Sequence, residues 1–165
     1  MEGVAGRVFS INISPGGVPK RSVPEVVVGF LGLAGDGHDD KVHHGGPDRA
    51  VSLYSIERIR VLKAEGHPVA PGSMGENLTL EGIDSAGLNP GDRLAVGEME
   101  LEVTSFATPC KTIVASFIDG GFSRVLHERH PGDSRLYARV LKEGLVRRGD
   151  PVRLADPVAP IGTSI

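Results

Sequence analysis

Glycine and proline cut this chain into short segments, and that punctuation constrains the fold more than any other feature of the sequence. The 23 glycines and 12 prolines make up more than a fifth of the 165 residues. Short segments bounded by these residues predict strands joined by many turns. Val4 to Ile13 alternates as a first strand, with Val8, Ser10 and Asn12 on one face and Arg7, Phe9, Ile11 and Ile13 on the other. The apolar, β-branched run within Val23 to Leu33 reads as a buried strand kinked at glycine. Ala50 to Ser55 and Leu78 to Leu80 read as further strands. "LNPGDRLAVGEMELEVTSF" reads as a hairpin, with Leu94 and Val96 before a Gly97-Glu98 turn and Leu101 and Val103 after it. "SRLYARVL" and "PVRLAD" close the series, with "KEGLVRRGD" as the turn between them.

Helices are few. Ser55 to Ala64 is the clearest: Ser55 caps it, Ile56, Ile59 and Leu62 mark one face, and Gly66 ends it. Residues 109 to 119 predict a second helix, ended by Gly120-Gly121, and Phe122 to His130 a third. The strands follow one another in meander style, without regular βα alternation. The expected fold is therefore mainly β with a few helices, a mostly antiparallel β-barrel. One domain is expected over residues 1–156, with a loose tail over 157–165.

Composition excludes several functions. A net charge of −3 offers no basic field for a nucleic-acid polymer and no polybasic run for a membrane surface. No apolar run approaches 18 residues, and the N-terminus lacks the basic start and apolar core of a secretory signal. A single cysteine forms no internal disulfide, which fits a reducing compartment. A cytoplasmic protein is the expectation.

Three pieces of sequence carry chemistry. Cys110, in "ATPCKTI", follows Thr108 as a helix N-cap and Pro109 as the first helical residue. A thiol in a first helical turn meets exposed N–H groups and the helix dipole, with Lys111 adding charge, and such surroundings lower a thiol from its usual ~8.5. The competing reading is a buried structural cysteine. In "GDGHDDKVHHGGPDRAV", Asp36, His38, Asp40, His43 and His44 offer metal ligands without an established spacing. The same stretch suits an anion, because Gly45-Gly46 allows close backbone approach and Arg49 offers a bidentate fork. It also reads as a tight entry into the next strand. "GENL", with Glu76 and Asn77, is a third polar knot.

Together these pieces resemble the MOSC family, the domain found at the C-terminus of molybdenum cofactor sulfurases and as stand-alone bacterial proteins. The resemblance spans most of the chain and rests on "GDGHDDKVHHGGPDRAVSLYS", "GSMGENLTLEGI", "GDRLAVG", "TPCKTI" and "SRLYARVLKEGLVRRGD". It is greatest to the stand-alone bacterial branch. It implies a β-barrel with flanking helices and a cleft for the molybdenum cofactor, a pterin bearing a phosphate and a dithiolene-bound metal. The family cysteine maps to Cys110, which by resemblance ligates molybdenum or carries a persulfide. The family's "HGG-x-D/E-K/R-A-V" maps onto His44, Gly45, Gly46, Asp48, Arg49, Ala50 and Val51, and "GEN" onto Gly75, Glu76 and Asn77. With Thr108 and Lys111 beside the thiol, His44, Gly45, Gly46, Asp48, Arg49, Glu76 and Asn77 form the expected cofactor-binding set. Two departures stand out: His38 replaces a frequent Gln, and Lys111 replaces the Trp that often follows the cysteine.

The resemblance implies reduction of N-hydroxylated substrates, such as hydroxylamino-purines or amidoximes, catalysed at Cys110. One cysteine holds no iron–sulfur cluster and no flavin motif is visible, so electrons are expected from a partner protein. The alternative is a sulfur or cofactor carrier using a Cys110 persulfide, and the last a hydrolase with a metal in the 36–44 loop.

Overall fold

A computed structural model describes residues 5–37 and 46–155. Its eleven strands are β1 (Ala5–Ile13), β2 (Arg21–Val23), β3 (Glu25–Gly29), β4 (Gly32–Leu33), β5 (Val51–Ser55), β6 (Leu78–Glu81), β7 (Arg93–Val96), β8 (Met99–Phe106), β9 (Leu136–Lys142), β10 (Gly144–Arg147) and β11 (Pro151–Leu154), with α1 (Ile56–Ala64) between β5 and β6. The main sheet runs β11-β7-β8-β9-β5-β6-β1, and β11 pairs back onto β1, which closes a seven-stranded barrel. β2 extends from the far end of β1. Every barrel pairing is antiparallel except β5 with β6, whose parallel register requires the crossover that α1 supplies. The mostly antiparallel barrel expected from sequence is the observed architecture.

The barrel interior is filled by alternating apolar side chains, among them Val51 and Leu53 of β5, Leu101 and Val103 of β8, and Leu136 and Ala138 of β9. Each large one removed from water contributes roughly 1.5–3 kcal/mol. β1 departs from simple alternation. Its register against β6 slips between Val8 and Ser10, and this bulge turns both Val8 and Ile11 into the core. The sequence placed these two on opposite faces, because a period of two cannot foresee one inserted residue.

Three further expectations are corrected. The Val23–Leu33 run is not one kinked strand. Pro24 separates β2 from β3, and Gly29 and Gly32 pair across a hairpin tip of Phe30 and Leu31. Val26 and Val28 are buried while Val27 is 59% exposed, so only one face of β3 meets the core. Within the supposed turn "KEGLVRRGD", β10 pairs with β3 through Leu145–Val27 and Val146–Val26. The small sheet β10-β3-β4 thereby joins the barrel core through Val26, Val28, Leu33 and Val146.

The helices account for the rest. α1 buries Ile56, Ile59 and Leu62, the face its spacing predicts. Gly66 (φ 98°) ends it, with the N–H of Gly66 donating to Lys63 and that of His67 to Leu62. Ser55 occupies the N-cap position, but its hydroxyl bonds Asp84 and Ser85 instead of the helix. The helix expected over 109–119 is a 3₁₀ segment, Lys111–Ser116, and the one over Phe122–His130 shrinks to Phe122–Val125. β-Branched Thr112, Ile113 and Val114 disfavour a full α-helix. Ile113, Phe117 and Val125 instead join α1, Tyr54 and Met74 in a second apolar cluster outside the barrel.

Candidate functional site

Alternating with inward Leu136 and Ala138 of β9 are Tyr137 and, just before the strand, Arg135, and both line a cleft. β5 does the same: Val51 and Leu53 face inward, Ser52 faces the cleft, directly opposite Tyr137 across the ladder. A 3₁₀ turn, Pro47–Arg49, enters β5 and sets the Arg49 guanidinium carbon 5.7 Å from the Tyr137 ring centroid. The loop after β1 adds Lys20, the loop before β6 adds Gly75 and Asn77, and the segment after β8 adds Cys110 and Thr112. The cavity measures about 120 Å³.

Asn77 joins these parts. Its Oδ1 accepts the Ser52 backbone N–H at 3.0 Å, and its Nδ2 donates to Asp36 Oδ2 at 2.9 Å and to the Asn12 carbonyl at 3.3 Å. Asp36 also accepts the Ser14 N–H at 2.9 Å and pairs with Lys20 Nζ at 2.8 Å. The Lys20 and Asp36 side chains are 7% and 2% exposed, so the pair is held by geometry and by the extra bonds that offset its desolvation. The sequence offered Asp36 as a metal ligand, but the structure commits it to Lys20 and Asn77. Among the described residues no three His, Cys, Asp or Glu side chains gather as a metal site. His38, Asp40, His43, His44 and Gly45 lie outside the described residues.

Cys110 is a free, half-buried thiol in extended backbone (φ −140°, ψ 175°) at the N-cap of the 3₁₀ segment. Its Sγ lies 2.9 Å from Thr112 Oγ1, in hydrogen-bond reach. The α-helical first turn expected around it does not form. Ile113 and Phe117, anchored in the α1 cluster, position the thiol.

Of the expected residues that are described, the structure brings Cys110, Arg49 and Asn77 together and sets the others apart from them. Thr108 and Lys111 are exposed and do not line the cleft. The Asp48 side chain is 72% exposed, 3.5 Å from Arg139. Gly46 (φ 82°) shapes the turn, its carbonyl accepting the Arg49 N–H. Glu76 is fully buried behind the cleft, its Oε2 accepting the Gly72 N–H at 3.0 Å and the Thr79 hydroxyl at 3.1 Å. Burial pushes its carboxyl above the usual range, against those bonds and the attraction of Arg135. Ser52, Lys20, Thr112, Tyr137 and Arg135 were missed. Arg135 and Tyr137 share a strand face opposite Leu136, the one sequence signal that pointed to them.

A small, mostly antiparallel barrel with one free thiol opening onto a cleft that also holds Lys20, Arg49 and Arg135 defines a class of thiol-bearing, cation-lined barrel domains. The profile of the MOSC domain matches residues 40–153, and the chain belongs to the MOSC domain family. It is 33% identical over 135 residues to the uncharacterized protein YflK of Bacillus subtilis (strain 168), covering 81% of this chain and 60% of that one. It is 26% identical over 141 residues to protein YiiM of Escherichia coli (strain K12), covering 83% and 62%. The chain thus spans about three fifths of the length of these curated relatives. Its fold is similar to the crystal structure of YiiM from Geobacillus stearothermophilus, with TM-score 0.69, 25% identity, and coverage of 92% of this chain and 75% of that one. The YUAD protein from Bacillus subtilis shares the fold at TM-score 0.69 and 18% identity, covering 91% and 95%. No helix among the described residues is long and apolar enough to cross a membrane.

Proposed function

We propose that this protein binds the pterin molybdenum cofactor in the Cys110 cleft and reduces N-hydroxylated compounds with electrons from a partner protein. The observation that carries this reading is the single thiol sharing one cleft with Lys20, Arg49 and Arg135. The residues fit the group. A thiolate suits a sulfur-preferring metal, and guanidinium and ammonium groups suit a phosphate. Gly75 (φ 89°) leaves space in the cleft wall that a Cβ would fill, pressing on Val18 at 3.0 Å.

Cys110 would hold the metal, with Thr112 orienting the sulfur through the 2.9 Å contact. Arg49 would meet the anionic arm from the turn before β5, Lys20, paired with Asp36, would line the wall beside it, and Ser52 and Asn77 would keep the strand ends beneath it in register. When bound, the cofactor supplies two-electron oxygen-atom transfer. Overall the N–O bond of the substrate is cleaved with two electrons and two protons, yielding the N–H compound and water.

Protein made in a cofactor-competent host is expected to retain molybdenum and pterin near one per chain. Cys110→Ser should lower bound molybdenum and abolish reduction of an amidoxime or hydroxylamino-purine. Equal metal content and turnover in the two proteins would sink the reading. The half-exposed thiol also favours a second reading, a persulfide carrier. It predicts a persulfide mass on Cys110 after loading with a persulfide donor, which passes on its outer sulfur and leaves as a thiol, together with no reductase turnover.

A further inference from the structure

Arg135 is 5% exposed, yet among the described residues its side chain forms no ion pair and no hydrogen bond, and its Nε is buried without a partner. A buried guanidinium in that condition is costly, because a charge removed from water needs a counter-charge or a full set of acceptors. Three cations that are also buried or half-buried have carboxylates: Lys20 has Asp36, Arg58 has Asp84 and Asp133, and Arg124 has Glu65 and Asp133. Glu76 is a carboxylate that Arg135 attracts through space, but it is committed to Gly72 and Thr79 and forms no ion pair with Arg135. Burial also raises the Glu76 carboxyl, which weakens it as a compensating charge.

The guanidinium faces the cleft it shares with Cys110, and its Nη1 lies 3.9 Å from where a Gly75 side chain would begin. An arginine fork held in place and short of acceptors matches a planar or tetrahedral oxyanion. We infer that Arg135 is the receptor for an oxyanion, a phosphate or carboxylate on the molecule that occupies the Cys110 cleft. The inference deepens the proposed function where that oxyanion is the cofactor's phosphate, and stands apart from it where the oxyanion belongs to a substrate.

The test begins with pterin-free protein and inorganic phosphate, with chloride at matched ionic strength as control. Phosphate should raise the melting temperature of the wild type, and Arg135→Gln should weaken phosphate binding at least tenfold. Arg135→Lys should recover part of it, since it keeps the charge and loses the fork. Without phosphate, Arg135→Gln should melt at or above the wild-type temperature, because it removes an uncompensated charge. A phosphate shift equal in wild type and Arg135→Gln, or no shift beyond chloride in wild type, overturns the inference.

The source of the oxyanion is then read from protein made in a cofactor-competent host. A tenfold loss of pterin in Arg135→Gln assigns the site to the cofactor's phosphate. Retained pterin, with KM raised for a hydroxylamino-purine nucleoside monophosphate but not for its free base, assigns it to an acidic substrate. Retained pterin and unchanged KM values overturn the inference. Wild type lacking pterin would defeat the proposed function, while the phosphate titration would still decide the role of Arg135.

Discussion

Glu76 and Asn77 are neighbours in sequence with different tasks. Asn77 faces the cleft and ties β5, β1 and the Asp36 loop together, while Glu76 organises the loop behind it. Burial holds the Glu76 proton on to higher pH in the folded protein than in the unfolded chain. Through that window the native state binds the extra proton, so stability falls as pH rises from the usual carboxylate range toward the raised value. Glu76→Gln keeps an acceptor for Gly72 and Thr79 and cannot titrate. Its stability should decline less with rising pH, measured by urea unfolding at several pH values; a profile parallel to the wild type would show that Glu76 ionises normally. Legibility at this scale divided by residue type. Cys110 and Arg49 stood out because a lone thiol and an arginine beside glycines are uncommon. Lys20 and Arg135 did not, because a cation in a turn or on a strand reads as solvated until the neighbouring elements that bury it are known.

At the scale of elements, the segment bearing Cys110 depends on α1 more than on the barrel. Phe117 is buried against the α1 cluster and meets His67 edge-on, with ring centroids 5.1 Å apart. Phe117→Ala should remove about 3–5 kcal/mol from that packing. Because the cluster lies outside the barrel, the loss should be local. Hydrogen exchange should quicken across residues 111–118 and alkylation of Cys110 should accelerate, while barrel amides stay protected. Uniform loss of protection would instead make the segment part of the barrel's cooperative unit. The sequence resolved α1 and the β7–β8 hairpin because each repeats a clear period. It misread "KTIVAS" as α-helix and "KEGLVRRGD" as a turn because pattern alone does not weigh β-branched crowding or a waiting partner strand.

For the whole molecule, closure rests on the pairing of β1 with β11, where Gly6 opposes Val152 and Ala5 opposes Arg153. Val152 is fully buried and also pairs with Val96. Val152→Asp places a carboxylate in the core at the seam and should abolish cooperative unfolding. Arg153→Asp, one residue on and exposed, should leave the melting temperature within a few degrees. Comparable losses in the two variants, followed by circular dichroism, would refute the register described for the seam. Alternation revealed the faces of these strands without revealing their partners, so the barrel was legible as a class and its strand order was not. The seam also sets a timetable for synthesis. Residues 5–7 find their partners only when residues 151–153 have been made, on the order of ten seconds later at typical ribosome speeds. Throughout that interval one edge of β1 has no strand to bond, so the nascent chain depends on chaperone shelter, or on speed, to keep that edge from a neighbouring polypeptide.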